Sequence, residues 1–201
     1  MNIKLCTIDD VVHRTYFFEY RYEVFSKRLN WNVPVHNGKE YDQYDTKNAR
    51  YIIIFDNYEI IASVRMIETK YPHLFTGSFH NFFSCKNYAP IEATRFFVRK
   101  HSNYNGVPIC QILFSAMIEY CLRKGYNSIM AIVGAGMDKL LNKYGWKHSI
   151  VEKCIIENKP TYLINLPISS GICNLIKEKA SLDSSKKLFL FIKKTINRSF
   201  S

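Results

Sequence analysis

Seven apolar residues at helical spacing, Ile109, Ile112, Leu113, Ala116, Met117, Tyr120 and Cys121, make one face of a helix that Pro108 opens and Gly125 ends. This face constrains the fold most, because strand patterns stand on both sides of it. Before it, 50–55 and 60–67 read as two strands around an Asp56-Asn57 turn, and 92–98 as a third. After it come a strand at 128–133, a short helix at 137–144 closed by Gly145, and a strand pair, 150–156 and 162–166, across Asn158-Lys159-Pro160. Upstream, Thr7-Ile8-Asp9-Asp10 reads as a helix start. Val11, Thr15, Phe18, Tyr22, Phe25 and Leu29 then recur at steps of four and three, which predicts one amphipathic helix to Leu29. The order is helix, three strands, helix, strand, helix, two strands. It predicts one α/β domain over 1–170, with a central mixed, mainly antiparallel sheet flanked by helices. A basic tail spans 171–201, with a helix expected around 186–196.

Charges sit inside several of these apolar patterns. Ile91 to Val98 reads I-E-A-T-R-F-F-V, the composition of a strand holding Glu92 and Arg95. An unpaired buried charge is costly, so each needs a partner or a ligand. Strict alternation puts Glu92, Thr94 and Phe96 on one face and Arg95 on the other, unless a bulge intervenes. The bland reading is an edge strand with an ordinary ion pair; the other is a site. Arg65 is a second charge inside a strand. Arg14, Arg21 and Arg28 recur every seven residues, either as a solvated stripe or, beside Phe25 and Trp31, as a grip for an anion. The loop at 32–48 carries E-Y-D-Q-Y-D with Asp42 and Asp45, and its length favours function over plain connection.

The net charge of +11 points to an acidic partner: nucleic acid, a membrane surface or an acidic protein. From Gly171 onward, seven Lys/Arg stand against Glu178 and Asp183, so the tail holds +5 of it. Further basic clusters are Arg99-Lys100 and Lys139, Lys143, Lys147. No apolar run approaches the roughly 20 residues that span a bilayer. The first ten residues lack a signal-peptide apolar core, so a cytoplasmic protein without stable membrane insertion is expected. The six cysteines and six histidines show no ligand spacing, and no metal is expected.

The embedded charges, in order, resemble the acyl-homoserine-lactone synthases, the LuxI-type autoinducer synthases. The likeness runs through R-Y-E-V-F-S-K-R-L-N-W (Arg21, Phe25, Trp31), E-Y-D-Q-Y-D (Asp42, Asp45), S-V-R-M (Arg65) and P-H-L-F-T-G-S-F (Phe79). It ends on E-A-T-R-F-F-V (Glu92, Thr94, Arg95) and the helix P-I-C-Q-I-L-F-S-A-M-I-E-Y, covering roughly 5–167. Each motif is weak alone; their joint order and spacing are specific. The resemblance implies a GNAT-like acyltransferase fold and two substrates, S-adenosylmethionine and acyl-acyl carrier protein, with no cofactor, no metal and no nucleic acid. The methionine amine attacks the thioester, and its carboxylate then displaces methylthioadenosine to close the lactone.

By the same resemblance, Glu92 is the base, through a water, and Arg95 or strand amides stabilise the oxyanion. Arg21, Phe25, Trp31, Asp42, Asp45, Arg65, Phe79 and Thr94 fall on the S-adenosylmethionine side, where Asp42–Arg65 or Asp45–Arg65 pairs are expected. Ala93, Met117, Ala131, Val133, Gly134, Met137, Leu140, Trp146 and Leu166 surround the acyl chain. Arg99, Lys100, Lys139, Lys143 and Lys147 dock the acidic carrier protein. Two departures carry information. R-K-H-S-N-Y-N-G-V-P lacks the glycine-rich pyrophosphate turn of many coenzyme A enzymes of this fold, which favours a carrier-protein donor. Ala131 stands where members preferring 3-oxo chains often have threonine, which favours an unsubstituted chain. The alternative is a GNAT-fold N-acyltransferase using acyl-coenzyme A. A basic nucleic-acid-binding module would explain the charge but not Trp31, the acidic loop or Glu92.

Overall fold

A computed structural model describes residues 1–12, 15–84, 89–100 and 102–179. The sheet has seven strands: β1 (Asn2–Cys6), β4 (Ala49–Asp56), β5 (Glu59–Glu68), β6 (Ile91–Val98), β9 (Ser128–Gly134), β10 (Ser149–Ile156) and β11 (Lys159–Pro167). Two small hairpins, β2–β3 (Val35–His36 and Lys39–Glu40) and β7–β8 (Asn103–Tyr104 and Val107–Pro108), stand apart. The sheet order is β1-β4-β5-β6-β9-β11-β10, and β6 with β9 is its parallel pair. The expected mixed, mainly antiparallel sheet is therefore observed.

The helices are α1 (Ile8–Val12), α2 (Thr15–Tyr22), α3 (Ile109–Lys124), α4 (Ala135–Lys143) and α5 (Ser170–Glu178). All seven face residues predicted for α3 are buried against the sheet, and Gly125 caps it in the left-handed conformation at φ 74°. Four two-residue turns, Asn37-Gly38, Asn57-Tyr58, Asn105-Gly106 and Glu157-Asn158, have positive φ at both positions. That geometry matches the right-handed twist of the strands it joins.

The single helix expected from Thr7 to Leu29 is corrected. Thr7 and Asp10 do cap each other, with Thr7 N–H donating to Asp10 Oδ2 at 2.7 Å. But α1 is one short turn, and after α2 the chain continues as a π-helix, Glu23–Arg28. Five-residue hydrogen bonding adds a residue per turn and rotates the residues beyond it off the straight-helix face. Phe18 and Phe25 are buried as expected, whereas Leu29 is 37 % exposed. The heptad arginines part for the same reason: Arg21 is buried and Arg28 exposed.

In β6 the structure takes the bulge, one of the two alternatives the sequence left open, over strict alternation. Arg65 pairs with Thr94 and Ser63 with Phe97, so Arg95 and Phe96 together oppose a single residue of β5. This is a bulge, with Arg95 at φ 53°. Arg95 stays on the Glu92 and Thr94 face, while Phe96 turns to the α3 side and stacks on Phe114, ring centroids 5.2 Å apart.

Two cores result. On one face of the sheet, α3, α4 and α5 bury the main cluster, which includes Ile112, Met117, Trp146 and Ile176. On the other, α1, α2 and the π-helix pack Phe17, Phe18 and Phe25 against Tyr51, Ile53 and Phe55 of β4. The expected boundary at 170 falls at the start of α5, whose Cys173 and Ile176 lie in the main core. Residues 180–201, with most of the basic tail and the helix expected at 186–196, lie outside the described residues. Among those described, no helix is long and apolar enough to cross a membrane.

Candidate active site

Three arginines and three carboxylates interlock on the Phe25 face of the sheet. From α2, Arg21 donates through Nε to Glu40 Oε2 at 2.6 Å and through Nη1 and Nη2 to both oxygens of Asp45 at 2.8 and 3.0 Å. From β5, Arg65 grips both oxygens of Asp42 at 2.6 and 3.0 Å, reaches Asp45 Oδ1 at 2.9 Å, and donates through Nε to Thr94 Oγ1 at 3.0 Å. From the β6 bulge, Arg95 bonds Glu40 Oε1 at 3.0 Å and Asp42 Oδ2 at 2.8 Å. The Tyr51 hydroxyl donates to Asp45 Oδ1 at 2.7 Å. Both expected Asp–Arg65 pairings are present.

The acidic loop is shaped by its own side chains. The Asp42 N–H donates to Asp45 Oδ2 and the Tyr44 N–H to Asp42 Oδ1, both at 2.9 Å. Burial opposes the charge on Asp45, yet Arg21 and Arg65 hold its carboxyl well below the usual carboxylate range. Burial likewise opposes the charge of Arg65, and Asp45 and Asp42 more than offset it. Arg95 is the exception: burial lowers its affinity for the proton despite Glu40. It is also the most open of the three, its side chain 9 % exposed. Its guanidinium lies 5.6 Å from the Phe25 ring centre, and Phe25 stacks on Trp31 at 5.2 Å. Trp31 is 43 % exposed, so an aromatic platform leads from the surface to the ion cluster. Phe79 is half-buried between this core and a small third one around Phe75.

Glu40 and Tyr51 were missed in the sequence. Glu40 opens the E-Y-D-Q-Y-D run, but only the return of β3 across α2 and the bulge shows that it joins Arg21 to Arg95.

Glu92 stands beside the cluster and outside its hydrogen bonds. It is fully buried, and its two oxygens accept from the Leu74 and Phe75 N–H groups at 3.2 and 3.3 Å. Burial pushes its carboxyl up to about 7, against the pull of those amides and of Arg65. Its place in the sheet is as telling. β6 and β9 pair only at Ile91–Ile129 and Glu92–Met130, then diverge. Glu92 thus marks the apex of a gap through the sheet, with the ion cluster on one side.

The residues assigned to the acyl chain lie on the other side. Ala93, Met117, Ala131, Trp146 and Leu166 are buried in the main core, with Val133, Met137 and Leu140 packed against it. Trp146 meets Phe114 edge-on at 5.4 Å and donates from Nε1 to Pro167 O at 3.1 Å. Gly134 is exposed and caps α4. Where β6 ends and α3 begins, beside the last turn of α4, a groove of about 680 Å³ opens, lined by Arg99, Lys100, Pro108, Cys110, Leu140 and Tyr144. Arg99, Lys100, Lys139, Lys143 and Lys147 are all exposed, and Arg99 is paired with Glu59. The segment that lacks the glycine-rich turn forms the β7–β8 hairpin beside this groove.

Comparison with known proteins agrees with this layout. A family model described as autoinducer synthase matches residues 9–174. An acyl-homoserine-lactone synthase of Pectobacterium parmentieri is 39% identical over 161 residues, 76% of this chain and 74% of that protein. Among solved structures, the CoA-dependent acyl-homoserine lactone synthase MesI superposes with a TM-score of 0.77 at 19% identity, covering 90% of this chain and 96% of its own. The CoA-dependent synthase BjaI, with SAM and isopentyl-CoA, superposes with a TM-score of 0.76 at 18% identity, covering 94% and 98%. At such identities these two show a common fold.

Proposed function

The chain belongs to the autoinducer synthase family, and on that premise we propose that it joins the amine of S-adenosylmethionine to an acyl group delivered as a thioester by an acyl carrier protein. It is an acyltransferase of GNAT-like fold, an acyl-homoserine-lactone synthase that makes a quorum-sensing signal. The observation that carries the mechanism is Glu92 at the apex of the β6–β9 gap, between a polar cluster and an apolar core, with its carboxyl raised to about 7.

A base acts best when its affinity for the proton lies near the working pH. Glu92, through a water, takes a proton from the substrate ammonium. The free amine attacks the thioester carbon, and the carbonyl electrons move to oxygen. Strand amides freed where β6 leaves β9 suit that oxyanion. Collapse expels the carrier thiol and leaves an amide. The methionine carboxylate then displaces methylthioadenosine from the γ-carbon and closes the lactone. No further cofactor enters.

The interlocked pairs change the part given to the arginines. Arg21 and Arg65 are each engaged at Nε, Nη1 and Nη2. They hold Glu40, Asp42 and Asp45 in place rather than gripping the substrate carboxylate. The substrate's cationic groups meet those acids and the Phe25–Trp31 and Phe79 rings, and Arg95, the most open guanidinium, meets its carboxylate. The acyl chain crosses the gap to the Ala131 side. Ala131 offers no donor to a 3-oxo group, which favours an unsubstituted chain.

The donor test compares acyl-carrier protein and acyl-coenzyme A at equal concentration, with mass spectrometry of products. Methylthioadenosine and an unsubstituted acyl-homoserine lactone are expected, faster from the carrier protein. No lactone from either donor across short and medium chains sinks the reading. MesI and BjaI, which are CoA-dependent, make faster turnover of the coenzyme A thioester the outcome that would reassign the donor. The basic rim gives a second check. Reversing Lys139, Lys143 and Lys147 together to Glu should lower kcat/KM for the carrier-protein donor about tenfold at low salt, because rim charges act mainly on the on-rate. The loss should shrink at high salt and be absent with the coenzyme A thioester.

A further inference from the structure

The hydroxyl of Tyr44 sits where two loops meet. It accepts from the Ser78 N–H at 2.9 Å and lies 3.1 Å from both Ser78 Oγ and Gln43 Nε2. Tyr44 is buried, and a Cβ on Gly77 would collide with its hydroxyl, so the approach requires glycine there. On one side Tyr44 belongs to the acidic loop: its N–H donates to Asp42 Oδ1, and its ring centre is 5.8 Å from the Arg65 guanidinium. On the other side Ser78 belongs to the turn that holds Glu92. The Phe79 N–H donates to Leu74 O at 3.0 Å, and the Leu74 and Phe75 N–H groups reach the Glu92 carboxylate.

We propose that Tyr44 is a positioning residue for Glu92: its hydroxyl clasps the turn at 77–79 to the acidic loop and thereby keeps the Leu74 and Phe75 amides on the Glu92 carboxylate. The inference rests on the reading of Glu92 as the base. Both amide bonds are long, at 3.2 and 3.3 Å, so slight slackening of the turn breaks them. They favour the anion, whereas burial favours the neutral acid. The charged groups facing Glu92 are Arg65 from β5 and Asp42 from the acidic loop, and His73 belongs to the same turn. Removing one hydroxyl leaves all of these in place.

The experiment uses the full chain with Tyr44→Phe, with Gly77→Ala as a second disruption from the opposite side, and with Ser78→Ala as a control that keeps its N–H. The Glu92 carboxyl is titrated by carbon-13 NMR, and turnover is followed against pH. In Tyr44→Phe the titration should move up by about one pH unit as the amide bonds are lost. Turnover at pH 7 should then fall about fivefold and recover above about pH 9. Gly77→Ala should move both the same way, and Ser78→Ala should move neither. An unmoved Glu92 titration in Tyr44→Phe, or turnover lowered equally at every pH, overturns the clasp. A moved titration in a protein whose Glu92→Gln variant remains active supports the clasp and removes only Glu92's role as the base.

Discussion

Replacing Glu92 by Gln should lower kcat/KM about 10²- to 10⁴-fold, the span of a lost general base, while the variant folds and, above pH 7, outlasts the wild type in denaturant. Gln has nearly the same shape and, like the neutral acid, places one carbonyl oxygen to accept from either the Leu74 or the Phe75 N–H group, which now reach separate oxygens of Glu92. What it lacks is the charge. Burial raises the Glu92 carboxyl from 4.5 to about 7, so the folded chain binds that proton more tightly than the unfolded chain. The stability this group contributes is complete below about pH 4.5 and lost as pH rises through about 7. At roughly 1.4 kcal/mol per pH unit, the variant should gain about 3 kcal/mol on the wild type between pH 5 and pH 8. Activity runs the opposite way, since the base must be ionised: wild-type turnover should rise with a midpoint near 7, and that limb should vanish in the variant. Denaturant midpoints at the two pH values and a pH–rate profile check both arms. More than a tenth of wild-type turnover at pH 8 would remove Glu92 from proton transfer.

The opposite signs come from where the fold puts Glu92, and the sequence shows only part of that placement. Apolar spacing located α3, the strand pairs and Gly125, because burial on one face repeats at 3.6 or 2.0 residues. It missed β1, where Asn2–Cys6 alternates for only five residues yet pairs along its whole length with β4. It passed over Asn37-Gly38 and Asn105-Gly106, a strong short-range hairpin signal, because the strands they join are two residues long. The bulge at Arg95 stood in the sequence as one of two alternatives, and a period-2 reading could not choose between them. Nothing local marks an extra residue when the left-handed position is held by arginine instead of glycine, and what holds it there is the pull of Glu40 and Asp42 from a different segment. Glu40 was lost for the same reason: its partners stand 19 and 55 residues away. The charges were legible as anomalies. Their pairing was legible only through family likeness, and their saturation only in three dimensions.

That saturation makes Arg65→Met the most damaging substitution expected for the fold. Arg65 is fully buried, forks onto both oxygens of Asp42, shares Asp45 Oδ1 with Tyr51, and ties Thr94 beside the bulge. Methionine fills similar volume but leaves two nearly buried carboxylates facing each other with one cation fewer. Breaking a buried ion set from one side costs about 3–5 kcal/mol, far above a surface pair, and unfolding midpoints at pH 7.5 would read it directly. Lysine should not rescue it, because one ammonium cannot reproduce a planar fork onto three partners. The pH dependence identifies the cause. In the wild type, Asp45 is held below the usual carboxylate range, so its contribution is present above the unfolded carboxylate value and is lost as pH falls through the folded one. The gap between wild type and Arg65→Met should therefore be widest above about pH 5 and narrow below about pH 4, where the stranded acids accept protons. Adding Asp42→Asn to Arg65→Met should cost less than the sum of the two single changes, since the second removes a charge that the first left unpaired. If the costs add, or if Arg65→Met stays within about 1 kcal/mol of the wild type, the cluster is an ornament of the surface loop, and the acids beside Glu92 owe their positions to the backbone alone.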